Sequence, residues 1–176
     1  MLRSYKPSML FMGVLSVIGL PEALKEKLES LYGPIDTITA PFPFSFTDYY
    51  VPEMGEGIER FFISFHNPVQ PDALSSIKTA TNDIEREYSI DGQRKINLDP
   101  GLLSLENAIL ATTKNRSHRI AIGMDLYAEV TLIYQNHRWQ PQPWTYADYR
   151  SERVQEILTS FREIYKTRMK GINVSL

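Results

Sequence analysis

The chain contains no cysteine. That excludes disulfides, cysteine nucleophiles and thiolate metal sites. It also lacks a long hydrophobic run. The longest, residues 9–17, is broken by Gly13 and Ser16 and is far too short to span a bilayer. Arg3 and Lys6 make a positive start, but no small-residue cleavage site follows, so a secretory leader is not expected. Neither sign of charge is in excess. With 19 basic and 21 acidic residues and a net charge of −2, there is no bulk attraction to nucleic acid. The phosphate loops G-x-x-x-x-G-K-S/T and G-x-G-x-x-G, the G-x-S-x-G elbow and the H-E-x-x-H zinc motif are all missing. The histidines, His66, His118 and His137, do not form a repeated H-x-S/T pair. These absences predict a cytoplasmic protein with no membrane association. Nucleic acid is disfavoured as a partner, and no signal sets the oligomeric state.

What is present is an ordinary globular composition, 43% hydrophobic and 23% charged over 176 residues. That length suits a single domain, residues 1–176. Residues 8–18 read as a buried strand. Pro21 then suits a first helical position, Leu24, Leu28 and Leu31 recur at near-helical spacing, and Gly33-Pro34 stops the helix. Residues 35–39 alternate as a half-buried strand does. The prolines of residues 41–57 predict an extended segment and bar a helix. Residues 58–65 form the next strand. Residues 71–88 give the clearest helix, with Leu74, Ile77, Thr81, Ile84 and Tyr88 on one stripe and Lys78, Asn82 and Glu85 on a polar one. Residues 95–98 suggest a short strand that ends in an Asp99-Pro100-Gly101 turn. The order strand, helix, strand, strand, helix, strand predicts an α+β fold with a ferredoxin-like, split βαβ core over residues 8–100. Residues 101–176 extend it. They comprise a short helix at 104–111 capped by Ser104 (or a strand), a hairpin from 118–124 and 126–134, a proline-bearing loop at 140–144, and an amphipathic helix at 151–170.

Candidate chemistry gathers between residues 94 and 119. Asp99 is either a turn residue or a base or metal ligand at a strand end. Asn97 stands beside it. Thr112, Thr113, Lys114, His118 and Arg119 combine hydroxyls and cations that suit a phosphate or carboxylate, or else make a solvated loop. Glu129 lies mid-strand, where a buried carboxylate needs a partner. A three-residue hairpin turn would set Arg119 opposite it, as a structural cross-strand pair or a functional one. Asp48 with Tyr49 and Tyr50, and Asp148 with Trp144, Tyr146 and Tyr149, pair acids with aromatics that either line a pocket or simply pack. Asp148 reads as the cap of the last helix.

Six segments, FTDYYVPEMG, ERFFISF, INLDPG, LATTKNRSHRI, YAEVTLIY and WTYADY, resemble in order the bacterial and archaeal family called domain of unknown function 4416. Some members of that family carry a GTP-binding label, but this chain lacks the phosphate loop. The family brings no established catalytic residues. The resemblance implies that Asp48, Tyr49, Tyr50, Glu53, Arg60, Asn97, Asp99, Thr112, Thr113, Lys114, His118, Arg119, Glu129, Trp144, Tyr146, Asp148 and Tyr149 stand at its pattern positions.

The expected function is that of a small enzyme or binding protein for a phosphorylated or nucleotide-like ligand. Lys78, Lys114, His118 and Arg119 would hold the anion, and Asp99, Glu129 and Asp48 would serve as acid–base groups or as ligands of a divalent metal. Two other classes fit the sequence. One is a non-catalytic interaction module docking through residues 41–50. The other is an RNA-binding sheet, against which the acidic balance and the missing RNP-like pattern count.

Overall fold

The computed structural model describes residues 5–173, so Arg3 lies outside the described residues. Strand β1 (Ser8–Ser16) is buried along its whole length. Its Met9 and Phe11 face one side of the sheet, and Leu10, Met12 and Val14 the other. Coverage on both faces is why the run is continuously apolar rather than alternating. Helix α1 (Glu22–Tyr32) follows, then β2 (Ile35–Ile38) and the two-residue β3 (Phe42–Pro43).

Residues 41–57 are not wholly extended. Val51–Met54 forms a single helical turn, α2, with Pro52 in its first turn. A proline's missing N–H costs nothing there, so the proline that seemed to bar a helix instead opens one. Strand β4 (Glu59–Val69) and helix α3 (Leu74–Glu87) come next, and a small hairpin, β5 (Ser89–Ile90) with β6 (Gln93–Arg94), leads into β7.

Strand β7 runs from Ile96 to Leu103 and passes straight through Asp99, Pro100 and Gly101, which are not a turn. It pairs antiparallel with β1 throughout, Gly13 opposite Asp99 and Phe11 opposite Gly101. Gly101 has a packing reason. A Cβ there would meet the Phe11 ring at 2.4 Å. Pro100 is tolerated because β8 (Asn107–Thr112) pairs with β7 only at Gly101–Leu103. Leu98 turns its backbone toward the unpaired edge, and strand alternation aims the Pro100 nitrogen the same way.

Residues 104–111 are not a helix. Ser104 accepts the N–H groups of Glu106 and Asn107 at 3.1 Å and turns the chain from β7 into β8. A serine accepting N–H groups two and three residues ahead looks the same in sequence whether it starts a helix or a tight loop. Strands β9 (Ile120–Gly123), β10 (Leu126–Gln135) and β11 (Arg138–Pro141) complete the set, and helix α4 (Glu152–Asn173) ends it. The proline-bearing loop thus begins as a strand.

Among the described residues one nine-stranded antiparallel sheet carries the order β11-β10-β8-β7-β1-β4-β2, with β3 and β9 as side partners. The fold is α+β. Helices α1 and α3 cover one face through Leu24, Leu28, Ile77 and Ile84. Helix α4 covers the other through Val154, Leu158, Phe161, Tyr165 and Met169, spaced three or four apart. No helix among the described residues is long and apolar enough to cross a membrane.

Candidate functional site

The sheet forks where β7 and β8 part. One prong is Ile96–Pro100, paired only to β1. The other is Ala111–Thr112, paired only to β10. A cavity of about 520 Å³ lies in this fork, within the ordinary size for a small-molecule site. Asn97 and Asp99 line it from one prong, Leu110 to Lys114 from the other. Lys78 and Asn82 of α3 close its floor. Phe44, Phe46, Tyr49 and Tyr50 of the loop before α2, with Tyr146 to Tyr149, roof it. Helix α4 begins only at Glu152, so loops rather than a helix cover this end of the sheet face.

In the polar stripe of α3, Lys78 and Glu85 are buried and Asn82 is half-buried. Glu85 accepts the Leu98 N–H at 2.7 Å, and Lys78 Nζ donates to the Leu98 carbonyl at 3.1 Å. These side chains occupy the backbone positions that β8 would fill in an unforked sheet, which satisfies groups otherwise costly to bury. Lys78 also donates to Asp99 Oδ1 at 3.2 Å, and Asn97 Nδ2 donates to Asp99 Oδ2 at 2.8 Å. Arg94 holds Glu53 with two bonds of 2.6 and 2.7 Å and reaches Glu85 and Asn97. Arg94 holds the Glu53 carboxyl below the usual range. Burial pushes Glu85 up, while Lys78 and the Leu98 N–H pull against it.

Across the sheet, Arg60 is paired with Asp148, and both are buried. Burial works against the Arg60 charge, but Asp148, helped by Tyr149 and Asp99, outweighs it and raises its pKa. Asp148 is therefore an ion-pair partner and not the cap of α4; Ser151 accepts the Val154 N–H instead. Gly13 makes room for this pair. A Cβ there would stand 3.0 Å from Arg60 Nη1 and 3.1 Å from the Tyr149 hydroxyl.

Glu129 accepts from Arg119 Nε at 2.8 Å, and His118 Nε2 lies 2.8 Å away. The register matches that of a three-residue turn, with Ala121 opposite Tyr127 and Ile120 opposite Ala128. It arises as a two-residue turn at Met124-Asp125, both at positive φ, followed by a bulge. His118 stacks on Trp144 at 4.7 Å, and Trp144 donates to the Val130 carbonyl.

Three pocket residues keep a buried polar atom with no hydrogen-bond partner among the described residues: Glu129 Oε1, Arg60 Nη1 and the Tyr149 hydroxyl. They are only 2%, 4% and 1% exposed. Burial drives the Tyr149 pKa far up, and that of Tyr50 too, with Asp99 adding to both. Tyr49, at the mouth, goes the other way, lowered first by its 2.9 Å hydrogen bond with Lys114.

Ten of the fourteen residues singled out from the sequence line the cavity: Tyr49, Tyr50, Lys78, Asn97, Asp99, Thr112, Thr113, Lys114, Glu129 and Tyr146. Four do not. His118, Arg119 and Trp144 stand behind Glu129, and Asp48 is exposed on the loop. Arg60, Tyr149 and the aromatic Phe44 are the main residues unmatched to a role beforehand. A charge within the apolar strand ERFFISF was the available signal, since a buried guanidinium requires a buried acid. Among the described residues no three His, Asp or Glu side chains converge as a metal site. Asp99 and Glu129 are each committed to cations, so this donor set does not fit a divalent ion without displacing them.

An α+β protein with a forked antiparallel sheet and a charged, aromatic-walled pocket is the class these features define. The chain matches the domain of unknown function DUF4416 over residues 6–165 and belongs to that family. No curated protein and no solved structure matches it.

Proposed function

We propose that the forked pocket binds a small phosphorylated or nucleotide-like molecule, with Asp99 as the group best placed for acid–base work. The observation that carries this reading is the convergence of residues from seven separate chain segments on one cavity. Aromatic walls suit a ring, and the Lys114, Thr112 and Thr113 rim suits an anion. Asp99 stands between Lys78 and Asn97, an arrangement that fixes a carboxylate in place. The strand order β7-β1-β4-β2, with α1 and α3 on one face, supports a ferredoxin-like core over residues 8–100. Strands β8, β10 and β11 extend the same sheet, which favours a single domain.

The test is a thermal-shift panel of nucleotides and sugar phosphates on the wild type and on an Asp99→Asn, Glu129→Gln double variant. A ligand at one hundred times its Kd adds about 2.7 kcal/mol, or roughly 5–10 °C at this size. If every compound left the wild type unmoved, or moved both proteins equally, the reading would be wrong.

A further inference from the structure

The pocket's charges are matched everywhere except at its mouth. Arg60 pairs with Asp148, Lys78 with Asp99, and Arg94 with Glu53 and Glu85. Glu129 pairs with Arg119. Lys114 alone among the lining cations has no carboxylate within ion-pair distance among the described residues. Its ammonium sits instead on Tyr49, 2.9 Å from the hydroxyl and 4.5 Å from the ring centre. An anion placed inside would meet a neutral or slightly acidic interior and lose its hydration without a counter-charge. The interior does retain unmet hydrogen-bonding capacity. Glu129 Oε1 accepts only, Arg60 Nη1 donates only, and the Tyr149 hydroxyl does either.

We infer that the ligand enters with an uncharged, hydrogen-bonding ring innermost and a phosphate-type anion at the rim on Lys114, Thr112 and Thr113. This rests on the binding role proposed above and adds the ligand's orientation and charge pattern. The ring lies on the aromatic walls and supplies an N–H or O–H toward Glu129 and an acceptor toward Arg60 and Tyr149. Lys114 exchanges its Tyr49 contact for the anion. The pocket therefore accepts the unphosphorylated body alone, and the phosphate adds an increment that comes from the mouth.

The experiment is calorimetric titration of each common ribonucleoside against its monophosphate, and of ribose against ribose phosphate. Proteins are the wild type, Lys114→Ala, Lys114→Arg and Tyr149→Phe. At least one phosphorylated member should bind the wild type about tenfold or more tightly than its uncharged counterpart, the scale of a charge-assisted hydrogen bond. Lys114→Ala should erase that ratio, weakening the phosphorylated member far more than the uncharged one. Lys114→Arg should keep most of it. Tyr149→Phe should weaken both members alike. Added salt should shrink the phosphate increment and spare the uncharged compound. A ratio that survives Lys114→Ala, or inorganic phosphate binding as tightly as the monoester, would overturn the orientation while leaving the binding role standing. No binding by any member would overturn both.

Discussion

Along the α4 side of the sheet, the same strands present two different surfaces. At one end Met9, Phe11, Leu103 and Leu132 meet Leu158, Phe161 and Tyr165 of α4 and close into an apolar cluster. At the other end the same strands present Gly13, Asn97, Asp99 and Glu129, with Arg60 of β4 alongside, and loops cover them. Strand register is shared, so the difference comes from what lies above. A helix with an apolar stripe completes a core. Loops of aromatics and acids leave charges that must be paired one by one. The first end carries stability through area, the second through buried pairs that fail badly when one partner is lost.

That contrast can be broken at either end. Asp148→Ala strands the Arg60 guanidinium and should cost about 3–5 kcal/mol. Phe161→Ala at the covered end should cost a similar amount, about 3–5 kcal/mol, read by urea unfolding. The two should separate on ligand titration, where only the folded fraction of Asp148→Ala loses affinity. Gly101→Ala drives a Cβ into the Phe11 ring and should cost about 1–3 kcal/mol. Alkaline pH attacks the loop-covered end. Burial raises the folded-state pKa of Tyr149 and Tyr50 above the ordinary 10.0. Their contribution is complete below the unfolded value and is lost as pH rises through the folded ones. Tyrosinate absorbance should show Tyr49 titrating in the native protein, and Tyr149 only with unfolding. Smallest is Tyr149→Phe, which removes an unpartnered hydroxyl and should leave stability unchanged within about 0.5 kcal/mol while weakening ligand.

The covered end was largely legible in sequence. The α4 stripe is a periodic signal and the β1 run a continuous apolar one, and both survive into structure because burial acts on whole faces. The fork was not. Asp99-Pro100-Gly101 carries strong turn chemistry, yet β1 pairing holds it extended. Only the absence of a β8 partner, a fact about distant chain, lets proline sit there. The Lys78 and Glu85 stripe was legible as polar, but its partners on Leu98 were not, because helical spacing says which residues share a face and not what that face meets. Glu129 with Arg119 was readable because a short hairpin fixes register locally. Arg60 with Asp148, 88 residues apart, was not.

By this reading the loop-covered end is a ligand site and the α4-covered end is not. Backbone amide shifts, followed by NMR as the tightest-binding monophosphate is added, test it directly. Shifts should cluster at residues 97–99, 110–114, 129 and 146–149, with residues 154–169 unmoved. Shifts centred on α4, or spread evenly over the sheet, would contradict it.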